Sequence, residues 1–372
     1  LMPAKKANYW DYIRVEQLLS LQNGIDKSES DLSNDEVRFI VIHQIDELWF
    51  KLILRELTTA RDLFAQPVVP EDALSGACKS LKRITQCFGL AAQHFALMES
   101  MGTQEYLMFR DKLNPASGFQ SAQTREIEVL MGLADEDRIP FGKEGSYMDA
   151  LRSHDGSPSP AHARVERRIK DQPTLKHAVR SWLHRTPIQG SRPSDPNDDA
   201  VIAEWIDKYT RGHEQLHERA MDHAVAVQAL SSEDESRLRD RYRGQLRGAR
   251  RHLEAEDTPD DQRAFTRRLR AAILFVDSNR GLPLLSWPGQ IIDGLLECEQ
   301  ASLVFRQRHA RMVERVIGRR VGTGGSDGVD YLDQTALKYR VFTEIWGART
   351  LLLPPDLCPA IKDRAFYGLA QS

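Results

Sequence analysis

The sequence predicts an all-α protein, a bundle-like helical domain carrying an additional charged insertion of helical character. Apolar residues recur at three- and four-residue steps through most of the 372-residue chain. Alternating β-branched runs of strand length are scarce. The stretches that interrupt the helical period are rich in Pro, Gly, Ser and Asp, whose backbone preferences end helices.

Taken in order, the first strong period runs from about Asn34 to Phe64, where Phe39, Ile42, Leu48, Trp49, Leu52, Ile53 and Leu57 mark one apolar face. Ser33 followed by Glu36 supplies a capping box at its start. Comparable periods span 71–101, 120–133, 199–230, 262–276, 288–318 and 331–352. The segments RSHDGSPSP (152–160) and IQGSRPSDPNDD (188–199) read as exposed loops. Residues 231–262 are densely charged with few large apolar side chains, and two readings fit them: a solvated helix or a mobile insertion. Their interspersed acids argue against a nucleic-acid tail, and no internal repeat is evident.

Composition bounds the function. With 41% apolar residues the chain can bury one large core or two smaller ones unaided. Its formal charge of −3, from 51 basic and 54 acidic side chains, provides no global field for nucleic acid or an anionic membrane. Cys78, Cys87, Cys298 and Cys358 form no CxxC pair and fit a reducing cytoplasm. No apolar run of about 18 residues appears and the start has no signal-peptide pattern, so a cytoplasmic protein without membrane attachment is expected.

Three segments could carry chemistry. In RFIVIHQIDELWFKLILREL, Phe39 and His43 stand four apart on one helix face, with Glu47 one turn on. They could line a pocket, or be a core aromatic beside a hydrogen-bonded histidine. In YLMFRDKLNPASGFQSAQ, Tyr106 and Arg110 repeat that spacing before NPASGF ends the helix. A guanidinium beside an apolar pocket clamps a carboxylate through two parallel hydrogen bonds, while a surface ion pair is the plainer alternative. In RQRHARMVERVIGRRVGTGGSDGVDYL, His309 precedes GTGGSDG (322–328), whose backbone N–H groups and Thr323 hydroxyl suit a polar ligand. A hairpin between helices explains those glycines equally well. The segment is neither a Walker loop nor a dinucleotide fingerprint.

HEQLHERAMDH (213–223) matches the H-E-x-x-H zinc-protease pattern, with Glu214 as potential base and His223 at the spacing of a third ligand. That class needs a glycine where this chain has Ala220. Ala220, Ala224, Val227 and Leu230 keep the helix going, which turns His223 about 240° away from His217. The match is therefore read as a decoy.

Together with YWDYIRVEQLLSLQ near the start and YRVFTEIWGARTLLLP near the end, these three segments resemble the tryptophan 2,3-dioxygenase family of haem enzymes. The resemblance covers most of the chain in the family's order and leaves 144–200 and 231–262 weakly covered, as loops or insertions in a single helical haem domain over 34–372. It implies a homotetramer carrying haem b, ferrous when active, with His309 as the proximal iron ligand and His43 as the distal, catalytic histidine near the indole nitrogen. It also implies that Arg110 and Thr323 bind the amino acid's polar end, that Phe39, Tyr106 and Ser117 complete the pocket, and that Tyr9, Tyr12 and Ile13, within an N-terminal segment 1–33, reach a neighbouring subunit's site. The implied reaction is cleavage of the indole C2–C3 bond of L-tryptophan by O2 to give N-formylkynurenine. Ile45, Asp46, Thr124 and Asp327 depart from the family's pattern. They leave room for a modified tryptophan as substrate, with two oxygen atoms inserted or one. A haem- or ligand-sensing module without turnover is the reading from a different class.

Overall fold

Helix is the only regular element among the described residues of the computed structural model, apart from two isolated β-bridges, Arg152 with Pro158 and Ile188 with Ser191. The described residues are 8–25, 28–114, 116–140, 146–153, 155–228, 231–320 and 328–368. The helices are α1 (Tyr9–Tyr12), α2 (Val15–Leu19), α3 (Asn34–Phe64), α4 (Glu71–Met98), α5 (Thr103–Leu113), α6 (Ala122–Met131) and α7 (Pro160–Lys170). They continue as α8 (Leu175–His184), α9 (Asp198–Gln228), α10 (Ser232–Leu253), α11 (Asp260–Ser278), α12 (Pro283–Ile317), α13 (Val329–Lys338) and α14 (Thr343–Leu351). None of them is long and apolar enough to cross a membrane.

Local chemistry explains most of the boundaries. Ser33 caps α3 by accepting the Glu36 N–H at 3.1 Å, but the Glu36 carboxylate takes Lys112 Nζ at 3.1 Å, so only half of the expected capping box is used. Within 144–200, where only loops or insertions were expected, Ser159 with Pro160 at the first turn starts α7, and Thr174 caps α8. Both helices bury a narrow stripe, Val165 in α7 and Leu175, Ala178, Val179 and Leu183 in α8. The charged segment takes the solvated-helix form: Ser231 caps α10, whose only buried residues are Ala249 and Leu253. The expected helix 331–352 is two helices. Between α13 and α14 the buried carboxylate of Glu299 accepts the N–H groups of Val341 and Phe342 and the indole N–H of Trp346. Satisfying those donors makes the break in the chain tolerable.

The chain forms two compact units. The first gathers described residues of 1–55, 83–172 and 300–339, and its core includes Ile42, Phe95, Met98, Phe109, Met312 and Val316. The second gathers 56–82, 173–299 and 340–372, centred on Trp205, Tyr209 and Phe275, with Trp205 stacked on Tyr209 at 4.8 Å. All but one of the residues expected to form a site belong to the described part of the first unit; the exception, Thr323, lies outside the described residues, and so do the other positions of 321–327.

Candidate active site

A cavity of about 430 Å³ opens inside the first unit, within the range of roughly 300–1,000 Å³ usual for ligand and cofactor pockets. Helix α3 lines it with Phe39, His43, Asp46, Glu47 and Phe50, which the helical period stacks along one face. Phe305, Arg306, His309 and Val313 of α12 are on the lining by the same spacing. Helix α4 adds Phe95, α5 adds Tyr106, the turn after α5 adds Ser117 and Gly118, and α13 adds Tyr331 and Thr335. Phe39, His43, Tyr106, Ser117 and His309, separated by up to 270 positions in sequence, thus meet around one space.

The two histidines differ in what holds them. His43 Nδ1 donates to the Phe39 carbonyl at 2.7 Å, since a carbonyl oxygen can only accept. Burial lowers its pKa despite the help of that bond and of Glu47, so the ring is neutral and Nε2 is its acceptor atom. Its ring packs against Phe39 with centroids 4.1 Å apart. His309 stacks on Phe95 at 5.3 Å with the planes 13° apart. Burial first, then His43 and Arg306, push its pKa down to about 4. A neutral imidazole fixed by a stacked ring keeps a lone pair for a metal centre.

Behind one wall lies an ionic cluster that sequence reading missed. Glu128 of α6, buried, accepts Arg125 Nη1 at 2.8 Å, Arg138 Nη1 at 2.6 Å and Arg306 Nη2 at 2.7 Å. Burial alone would raise this carboxyl, but Arg125, Arg306 and Arg138 together hold it at about 2. Arg125 and Arg306 also line the cavity, so that wall is cationic. The i,i+3 spacing of Arg125 and Glu128 was the only local signal of this cluster.

Other expected residues sit elsewhere. Arg110 stands one turn beyond Tyr106 and hydrogen-bonds its hydroxyl, and is not among the residues on the lining. Tyr9, Tyr12 and Ile13 lie at α1, which has no buried residue, and are 74%, 79% and 44% exposed. In the second unit His213 Nε2 donates to the Leu351 carbonyl at 2.9 Å, and His217 stacks on Tyr242 at 4.9 Å within an unbroken α9. No group of three or more metal-ligating side chains occurs among the described residues.

Comparison with known proteins gives a family. The family model described as tryptophan 2,3-dioxygenase matches residues 3–352. A tryptophan 2,3-dioxygenase of Sorangium cellulosum is 54% identical over 367 residues, covering 98% of this chain and 88% of its own length. Tryptophan 2,3-dioxygenase 2 of Ralstonia nicotianae is 49% identical over 370 residues, 99% of both chains. Tryptophan 2,3-dioxygenase B of Danio rerio is 32% identical over 355 residues, covering 95% of this chain and 84% of its own.

Proposed function

Because the chain belongs to the tryptophan 2,3-dioxygenase family, we propose that the cavity holds haem b and that the protein opens the indole ring of L-tryptophan with O2, giving N-formylkynurenine. The residues present suit a haem: aromatic walls from Phe50, Phe95 and Phe305, a neutral imidazole at His309, and Arg125 and Arg306 able to pair with porphyrin carboxylates. His309 would hold the iron. When bound, the haem supplies the site of O2 uptake and the redox chemistry of ring opening.

The chain's own residues do the rest. The observation that carries the reading is the fixed tautomer of His43, whose Nδ1–H is spent on Phe39 and whose Nε2 is left to accept the indole N–H. That bond orients the ring without removing its proton, because burial makes a charged imidazole costly. Phe39 and Tyr106 flank the indole and Ser117 borders it, while Arg110, one turn beyond Tyr106 and bonded to its hydroxyl, turns to the substrate carboxylate with Thr323 assisting. The exposed Tyr9, Tyr12 and Ile13 close a neighbouring subunit's site in a homotetramer. All four cysteines are free, which suits the reducing cytoplasm where we place the enzyme.

Purified, haem-loaded protein, reduced anaerobically and then given L-tryptophan and labelled O2, tests this. The expected product carries two labelled atoms. One labelled atom, or turnover only with ring- or β-methylated tryptophan, would replace this reading with a modified-tryptophan oxygenase. Haem binding without O2 consumption on any indole would leave a binding module.

A further inference from the structure

Asp46 lies three residues after His43 on α3 and lines the same cavity, yet ring opening as described gives it no task. Its side chain is only 9% exposed, and Oδ1 is buried with no hydrogen-bond partner. Facing it from α4, His94 Nδ1 lies 3.7 Å away and is likewise buried without a hydrogen bond. The indole N–H of Trp49, whose ring centroid is 6.3 Å from that of His94, is a third such atom beside the pair. Buried polar atoms left in this state cost free energy, and three in one place point to a task rather than to packing.

The His94 side chain is 26% exposed although its Nδ1 is buried, so the accessible part lies elsewhere on the ring. His94 is not among the residues lining the cavity, so that part faces outward. The 3.7 Å gap is just beyond hydrogen-bond range, and a small torsional change in either side chain closes it. One end of the pair therefore reaches the cavity and the other the exterior.

We propose that Asp46 and His94 form a proton-exchange pair that lets the cavity gain or lose one proton when the charge of the bound cofactor changes. The proposal rests on the haem reading above. A soluble one-electron reductant gives one electron to the ferric haem, lowering its charge by one, and the Asp46 carboxylate takes one proton from solvent by way of His94; reoxidation reverses both. Burial, reinforced by Glu47, raises Asp46 to about 7, where a change of one nearby charge alters its protonation. The other titratable or charged groups at this wall are His43 and Glu47 on α3, His94 on α4, Arg125 on α6, and Arg306 and His309 on α12. Of these, His43 is lowered and His309 is held at about 4.

The test is the reduction potential of the haem-loaded full chain against pH, followed by its absorption spectrum. In the unaltered protein the potential should fall as pH rises, most steeply near 7. Asp46→Asn should flatten that slope about threefold with the Soret band unmoved, and Asp46→Glu should restore it. His94→Gln should leave the equilibrium slope and slow proton uptake about tenfold, read with a pH indicator after rapid reduction. Equal slopes in haem-loaded wild type and Asp46→Asn would overturn the inference alone, as would unchanged uptake in His94→Gln. A wild type with no Soret band would overturn the haem reading and this inference with it.

Discussion

Two pairs of histidines, each carried on helices, have opposite fates. His213 and His217 match a zinc-protease motif within eleven residues, yet the structure gives each ring a packing partner: His213 donates to Leu351 and His217 stacks on Tyr242. His43 and His309 match nothing as a pair and stand 266 positions apart, yet both line one cavity with an acceptor or ligand atom to offer. A ligand site is made by where the unspent lone pairs converge, and motif spacing reports that only when the helix bends as the motif assumes.

The largest effect expected from this contrast is on cofactor binding. His309→Ala should weaken haem affinity on the order of a hundredfold or more, while His213→Ala leaves it unchanged, as titration with haemin would show. Equal losses in both would break the comparison.

The next effect is on stability. Glu128→Gln leaves three guanidinium groups against a neutral amide and should cost about 3–5 kcal/mol in urea unfolding at pH 7. Because the folded-state pKa is depressed to about 2, the stabilisation is complete above the unfolded value of 4.5 and is lost as pH falls through 2. The gap between wild type and Glu128→Gln should therefore narrow over that interval. A gap constant with pH would mean that Glu128 acts through shape alone.

Arg110→Ala should weaken tryptophan binding roughly ten- to a hundredfold with haem retained, measured by spectral titration of the loaded protein. Since Arg110 bonds the Tyr106 hydroxyl, Tyr106→Phe separates the two contributions: loss of affinity there too would assign Arg110 an indirect part. The smallest effect belongs to the decoy. His217→Phe preserves the stack on Tyr242 and should shift stability within about 0.5 kcal/mol, with no change in bound zinc by metal analysis.

Periodicity made the long elements legible, because a helix such as α3 buries one stripe over nine turns and repeats its signal. Helices α7 and α8 escaped because each is short and carries a narrow apolar stripe among basic residues. The break between α13 and α14 depends on Glu299, some forty positions earlier, so no window over 331–352 contains its cause. For the site, Phe39 with His43 and Tyr106 with Arg110 showed in the sequence because i,i+4 spacing shares a face. The Arg125–Glu128–Arg138–Arg306 cluster did not, since it joins separate elements. Asp46 was visible as a departure from the family's pattern, but its buried, unpartnered oxygen follows only from packing.

The proposed grip of His309 on the iron is tested most directly by a His309→Gly variant, loaded with haem, reduced, and examined by absorption with and without added imidazole. The account predicts a spectrum unlike that of wild type until imidazole fills the space and restores it. A wild-type spectrum in the variant without imidazole would contradict the account.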